Sequence, residues 1–362
     1  MRCTLVILFF LVAVACRKGK VENEIQEPLD LNATDEIAFI AKNGTTEGFQ
    51  LFLMKTDGSG LHALSGDTIA NEPLAVSHDG NKFLYSTLDK SRTSRLYVID
   101  KRGGGAVLLA SDTGFYSNMS WSPDDRTILF QKWMMGLGNT SSNVFVMDSD
   151  GRNEKQLTTD GRSTYPHWFP DGRKIIYNAV NNNPGIYIMG ADGSNAWRLG
   201  LAGTVYANAI LSPAGDKIAL SFVSAGNQGS LLYVTNADGT GMKEVVVAPP
   251  PAVPSASAYY RVIELSPAWS PDGTKIAYAC TVGDNSEIFV VNSDGTENKR
   301  LTKTSKLESN PVWSKDGRHI IYLANDPKAY NPAIYIMRAN GHSPTQVSTT
   351  DGFIMYPTYI GQ

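Results

Sequence analysis

Cysteine is almost absent: the 362 residues contain three, Cys3, Cys16 and Cys280. The first two sit in or beside an apolar N-terminal stretch. Cys280 is therefore left without an intramolecular partner, and a disulfide framework is excluded. Cys280 itself ends the apolar run IAYAC and reads as a small buried hydrophobe. Positive charge is not in excess. Lys and Arg number 32 against 35 Asp and Glu, a net charge of -3, which argues against a nucleic-acid binder needing a basic face for phosphates. Stretches of Ala, Leu, Glu and Lys at helical period are missing. Histidine is sparse: His62, His78, His167, His319 and His342 are scattered. No two share an element at metal-ligand spacing, so neither a metal nor a cofactor is expected.

Long apolar runs are confined to the start. In MRCTLVILFFLVAVAC, Arg2 gives a positive beginning, Leu5 to Val14 form an apolar run, and Ala13-Val14-Ala15 is a small-residue cleavage pattern. The run is too short for a membrane span. Residues 1–15 are expected to be a signal peptide. Cys16 directly after it resembles the bacterial lipoprotein box and is the expected lipid-attachment residue. Cleavage by the ordinary signal peptidase would instead give a soluble periplasmic protein. Residues 16–34 are polar and read as a flexible tether. Arg17 and Lys18, rather than acidic residues, follow the cysteine, so the chain is expected on the outer membrane facing the periplasm.

What the sequence has in quantity is punctuation: 33 Gly, 18 Pro and 16 Tyr. A short apolar strand, a Ser-Pro-Asp-Gly-like turn and a Lys-Ile-x-Tyr strand recur. Copies include SWSPDDRTILF (120–130), HWFPDGRKIIY (167–177), AWSPDGTKIAY (268–278) and VWSKDGRHIIY (312–322). The turn position is held by Asp79, Asp124, Asp171, Ala214, Asp272 and Asp316, at separations of 45, 47, 43, 58 and 44 residues. An alternating strand ending in an Asp-Gly or Asn-Gly-like hairpin follows each, with turns at Gly58, Gly103, Gly151, Gly193, Gly239, Gly295 and Gly341. Two-residue turns with positive φ at both positions are expected there. The first unit lacks its first strand, and the C-terminal Tyr356-Pro357-Thr358-Tyr359 aligns with Tyr165-Pro166-His167-Trp168. The two ends complete one unit. The expectation is an all-β, seven-bladed β-propeller over 35–362, with four antiparallel strands per blade. Its ring is closed by N-terminal strands plus one C-terminal strand, and six blades is the alternative.

The pattern W-S-P-D-G-x-K-I-x-Y, then I-Y-x-M-x-x-D-G and R-L-T, resembles the repeat of TolB-type propellers, relatives of the WD-repeat. It also resembles the propeller half of prolyl-oligopeptidase-type enzymes. The family's periplasmic member commonly has six blades plus an N-terminal α/β domain, for which this chain has no room. A peptidase would need a hydrolase domain with a Gly-x-Ser-x-Gly elbow, and none is expected beyond the last propeller strand. Pectate-degrading propellers carry metal-binding His clusters, which the scattered histidines do not form.

The Asp-x-Asp-Gly stretches (Asp148 and Asp150; Asn236 and Asp238; Asn292 and Asp294) lack the spacing and closing Glu of a calcium loop and read as turns. Trp121, Trp168, Trp269 and Trp313, with Tyr85, Tyr177, Tyr278 and Tyr322, recur at fixed positions and read as core between blades. Three loops break the repeat and are the expected ligand-binding elements. They are 131–143 with Trp133 and Met134, 247–266 with Tyr259, Tyr260 and Arg261, and NDPKAYNPA with Tyr330. The expected function is a non-enzymatic, membrane-tethered, monomeric binding scaffold for an envelope protein, peptide or glycan. No catalytic residue is assigned. The alternative is a polysaccharide lyase or hydrolase. It would work from converging carboxylates among Glu47, Asp89, Asp112, Asp160, Asp284, Glu308, Asp326 and Asp351.

Overall fold

A computed structural model describes residues 29–31, 34–42, 48–66, 69, 74–135, 140–180, 183–199, 208–223, 230–247, 266–282, 285–329, 331–348 and 352–361. The chain is an all-β propeller whose described residues contain no helix. The first sheet runs β28 (Ile354–Ile360), β1 (Glu36–Lys42), β2 (Phe49–Lys55), β3 (His62–Ala63). The second is β4 (Ala75–Val76), β5 (Lys82–Leu88), β6 (Ser94–Asp100), β7 (Val107–Asp112). The third is β8 (Phe115–Trp121), β9 (Thr127–Met135), β10 (Thr140–Asp148), β11 (Lys155–Gln156). The fourth is β12 (Ser163–Trp168), β13 (Lys174–Ala179), β14 (Gly185–Gly190), β15 (Trp197–Arg198). The fifth is β16 (Asn208–Leu211), β17 (Lys217–Val223), β18 (Ser230–Asn236), β19 (Lys243–Val247).

The remaining eight strands form one sheet with two antiparallel halves. One half is β20 (Ala268–Trp269), β21 (Lys275–Val282), β22 (Asn285–Asn292) and β23 (Lys299–Arg300). The other is β24 (Leu307–Trp313), β25 (His319–Asn325), β26 (Ala333–Arg338) and β27 (Thr345–Gln346). A parallel pairing of Ser286 with Leu307 joins them.

The second strand of each unit is apolar at almost every position, as in KIIYNA and HIIYLAN, because both of its faces are covered. The cores lie between neighbouring sheets. Ala38, Ile40 and Leu51 of the first sheet pack with Phe83 and Tyr85 of the second. Ile37, Phe39 and Phe52 of that same first sheet pack with Ile321, Ile334 and Ile336 of the last strands, which closes the ring. The first strands neighbour one another, β4 on β8, β8 on β12, β12 on β16, β20 on β24 and β24 on β28. They therefore line the central channel, and the short fourth strands form the rim.

The repeated aromatics are core. Tyr85, Tyr177, Tyr278 and Tyr322 are buried and stack on their cross-strand partners Tyr97, Tyr187, Phe289 and Tyr335 at 5.4, 5.6, 5.4 and 5.7 Å. Trp168 is half-buried against the core beside it, its indole N–H without a hydrogen-bond partner among the described residues. The other three tryptophans stitch one unit to the preceding one. The indole N–H donates to a first-strand carbonyl: Trp121 to Ala75, Trp269 to Ile210 and Trp313 to Ala268, at 3.4, 3.0 and 3.0 Å. Cys280 is buried, and desolvation pushes its thiol up to about 11, so it stays a protonated hydrophobe at neutral pH.

The two turn types have distinct chemistry, and the hairpins differ in detail from expectation. In the first turn, serine bonds the aspartate two residues on: Ser77 to Asp79, Ser122 to Asp124, Ser270 to Asp272, Ser314 to Asp316, each at 2.6 Å. Where Ala214 replaces the aspartate, Asp216 accepts from Ser212 at 2.7 Å. At each of the seven hairpins the glycine N–H bonds the carbonyl three residues back, as Gly151 does to Asp148 at 2.9 Å. Positive φ falls on these glycines and not on the residue before them. The turns are therefore type I turns followed by a left-handed bulge residue, not the two-residue turns expected. Asp150, Asp238 and Asp294 accept backbone N–H bonds from Arg152, Thr240 and Thr296, which is turn chemistry.

Candidate functional site

Each first strand begins at one mouth of the channel, where each second strand ends. Four first strands break register there: β8 between Ser117 and Ser120, β12 between Thr164 and His167, β24 between Ser309 and Val312, and β28 opposite Ala38 and Ile40. The bulge residue is left-handed in each, with φ of 47° at Asn118, 50° at Tyr165, 51° at Asn310 and 51° at Tyr356. Ser266, φ 38°, holds the aligned position before β20. Left-handed backbone costs a non-glycine residue roughly 1–2 kcal/mol. Repeated around a channel, such strain signals a conformation the fold enforces.

The holding device is visible at β8, β9 and β12. Gln131 is buried, and its Oε1 accepts the Asn118 side-chain amide at 2.7 Å and the Tyr165 backbone N–H at 3.1 Å. Its Nε2 donates to Ser142 Oγ at 2.7 Å, and that hydroxyl donates to the Ser163 carbonyl at 2.7 Å. One glutamine thus fixes two strained positions on two sheets. The Tyr165 ring is nevertheless outside the core, the residue being 47% exposed. Trp133, two residues beyond Gln131 on β9, is 36% exposed, and Phe353 just before β28 is 45% exposed. These three exposed aromatics stand at the same mouth, Trp133 and Tyr165 on neighbouring sheets and Phe353 two sheets away from Trp133.

Of the expected binding residues, Trp133 and Met134 are described, and not in a loop. The loop expected over 131–143 is largely two facing strands, with Trp133 opposite Ser142 and Met134 opposite Ser141. The aromatic and branched residues of TILFQKW fit a pleated strand that continues past the expected break. Tyr259, Tyr260, Arg261 and Tyr330 lie outside the described residues, as does Cys16. Tyr165 and Phe353 were missed because the repeat gives tyrosine and phenylalanine a core meaning elsewhere.

Among the described residues, each of the suggested carboxylates is engaged by local partners. Glu47, Asp284 and Asp351 lie outside the described residues. Asp89 caps its own turn through the Ser91 and Thr93 N–H groups and pairs with Arg95 at 3.0 Å. Asp160 accepts from Ser163 Oγ at 2.7 Å and Asp326 from the Lys328 N–H at 2.8 Å. Asp112 pairs with the buried Lys132 at 2.7 Å, and that hydrogen bond holds its carboxyl below the usual range. Lys132 also pairs with Glu154 at 2.9 Å and lies over the Tyr116 and Phe145 rings.

Glu308 is buried beside a second acid, Glu287, which nothing in the repeat pattern marks. Glu287 pairs with Arg300 at 2.5 Å and accepts the Thr304 N–H. Glu308 accepts from the hydroxyls of Thr302 and Thr304, and burial pushes its carboxyl up. Both side chains are closed to substrate.

The family model described as the TolB beta propeller domain matches residues 33–257 and 252–360. The chain belongs to the TolB beta-propeller family. An uncharacterized protein of Agrobacterium fabrum is 25% identical to this TolB-type propeller over 235 residues, which is 58% of the chain and 70% of that protein. TolB of Acinetobacter baumannii superposes with a TM-score of 0.57 at 22% identity, over 77% of the chain and 66% of TolB, so the chain spans slightly under two thirds of that structure. An oligogalacturonate lyase of Vibrio parahaemolyticus superposes with a TM-score of 0.63 at 14% identity, over 83% of the chain and 90% of the lyase. At these identities the two structures establish a shared fold. No helix among the described residues of this TolB-type propeller is long and apolar enough to cross a membrane.

Proposed function

We propose that this TolB-type propeller is a non-enzymatic binding scaffold of the bacterial envelope, and that the mouth carrying Trp133, Tyr165 and Phe353 is its recognition surface. Tyr165 carries this reading. A large aromatic is held in strained backbone by a buried glutamine and still left half-exposed, and backbone strain of this kind clusters at ligand-binding positions. Aromatics on rigid strands lose little entropy on binding and dominate contact energetics. The partner is an envelope protein, peptide or glycan. The protein acts as a monomer, tethered through lipid on Cys16 to the outer membrane and facing the periplasm, with residues 1–15 removed and 16–34 as the tether.

The blade count in this reading is seven. The eight-stranded sheet divides into two blades with an apolar core between its halves, Ala277 and Ile288 against Trp313 and Tyr322. A parallel contact of the same kind, Ser142 with Arg162, links two sheets that are otherwise separate. The second reading, a carbohydrate-active enzyme, draws on the likeness to the lyase. The disposition of Asp89, Asp112, Asp160 and Glu308 in turns, ion pairs and core weighs against it.

The test is to crosslink the full-length chain in solubilised envelopes and compare wild type with Trp133→Ala and Tyr165→Ala. Loss of a central aromatic anchor is expected to cut partner recovery about tenfold or more with folding unchanged. Unchanged recovery from both variants overturns the proposal.

A further inference from the structure

On the opposite face, where the Ser-Pro-Asp-Gly turns and the hairpins lie, a groove of about 640 Å³ opens between the two halves of the eight-stranded sheet. Its volume falls within the range that holds a side chain or small ligand, roughly 300–1,000 Å³. Val290, Leu301, Trp313 and Ala339 line it with apolar surface, and its rim carries Asp272 and Asp316 from consecutive first turns. We propose that this groove is a second binding site, which takes the basic side chain of a partner polypeptide.

The argument is one of net negative charge over an apolar floor: three carboxylates, Asp272, Glu297 and Asp316, stand against Lys275 and Lys299, and both lysines are tethered by hydrogen bonds. Lys275 donates to Asn292 Oδ1 at 2.6 Å and stands 3.9 Å from Glu297, while Lys299 donates to the Asn340 carbonyl at 3.1 Å. The aspartates are ordered by neutral donors. Asp272 accepts from Ser270 Oγ at 2.6 Å and the Thr274 N–H at 3.0 Å, and Asp316 from Ser314 Oγ at 2.6 Å and the Arg318 N–H at 2.9 Å. Such bonds favour the ionised carboxylate without cancelling its charge. Asp272 has no ion pair among the described residues. The nearest cation to Asp316 is the exposed Arg318 of its own turn, at 3.8 Å. A ligand that completes the groove brings an apolar stem for the Trp313 wall and a cationic head for the two carboxylates. Lysine and arginine side chains have that construction. The site is independent of the mouth described above, since it uses other residues on the other face.

The test uses the folded full-length protein with ¹⁵N-labelled tryptophan, the Trp313 indole signal being assigned with Trp313→Phe. The probe is the acetylated and amidated tripeptide Gly-Lys-Gly, compared with its norleucine and glutamate counterparts. The lysine peptide is expected to shift the Trp313 signal saturably and to bind roughly tenfold tighter than the norleucine peptide, as two partly exposed charge contacts allow. In an Asp272→Asn/Asp316→Asn variant that advantage is expected to disappear. Raising salt from about 50 to about 500 mM should shrink it in the unaltered protein as well, so the conclusion does not hang on the variant folding. Equal binding of lysine and norleucine peptides, or tighter binding of the glutamate peptide, overturns the proposal. Hexylammonium binding more tightly than the lysine peptide would assign the groove to free amines and overturn the polypeptide part.

Discussion

The Tyr359 phenol donates to Asp35 Oδ2 at 2.5 Å, across 324 residues of sequence. The bond joins the last strand to the residue before the first, beside the register in which Ile360 faces Glu36. Burial and the neighbouring carboxylate both push the phenol up, so it stays protonated at any physiological pH. Tyr359→Phe is expected to cost about 1–3 kcal/mol, because it leaves Asp35 without that donor. Deleting 353–362 removes β28 altogether, strips the buried Ile354 and Ile360 from two cores, and should unfold the ring. A truncated protein that melts with the full-length one would show that the closure does not hold the fold.

Hairpin glycines offer a paired test. At Gly58, φ 84°, an added Cβ would stand 2.4 Å from the Val347 carbonyl oxygen of the last strands, whereas at Gly103, φ 83°, it would meet open space. Gly103→Ala should cost about 1 kcal/mol from the left-handed backbone alone. Gly58→Ala should cost distinctly more, since backbone must move at the ring's seam. Equal losses in denaturant midpoint would mean that the seam is looser than its geometry.

Tyr165→Gly separates strain from packing. Glycine accepts φ 50° without strain, which should offset much of the lost ring contact and leave the variant within about 1 kcal/mol of the parent in a urea titration, while partner binding falls. A loss of several kcal/mol would mean instead that the ring is structural. Gln131→Leu should cost roughly 1–3 kcal/mol through the N–H and amide groups it abandons.

Acid stability should follow the first turns. Hydrogen bonds from Ser77, Ser122 and Ser270 hold Asp79, Asp124 and Asp272 below their ordinary range. A carboxylate whose folded value is depressed stabilises the fold above its unfolded value, near 3.8. That contribution disappears as pH falls through the folded value. Urea midpoints should therefore drop below about pH 4, and less steeply in Ser122→Ala/Ser270→Ala. An identical acid limb in that variant would contradict the assignment.

Glu308 has the opposite sign. Its carboxyl is pushed up by burial, so it weakens the fold as pH rises and it ionises. Glu308→Gln should be neutral or stabilising at pH 8. Glu287→Gln, which leaves Arg300 without its carboxylate, should cost roughly 2 kcal/mol, less than a fully buried pair because Arg300 is partly exposed. Equal destabilisation by both would show that the two acids share one role.

The ring was legible because its signals are local and repeated: the alternating strands, the Asp-Gly punctuation, and the Tyr356-Pro357 echo of Tyr165-Pro166. The mouth was less so. A left-handed tyrosine carries no glycine to announce it, and Gln131 looks like any polar residue until β8, β10 and β12 surround it. Trp133 is exposed, and it lies in a strand and not in the loop expected because QKWMM does not alternate cleanly. Glu287 sits in a strand whose pattern implied only an outward polar position, and its burial depends on Arg300 and Thr304 arriving from the next segment.

The tryptophan donors all point one way, Trp121 to Ala75, Trp269 to Ile210 and Trp313 to Ala268. At these three seams the molecule has a sense of rotation, in which a unit leans on its predecessor, and the first sheet is packed against the last strands to close the circle. A linear array of such units would leave one end unsupported. Bent into a circle it has no end at which fraying can start, and damage at any seam is felt by its neighbours on both sides.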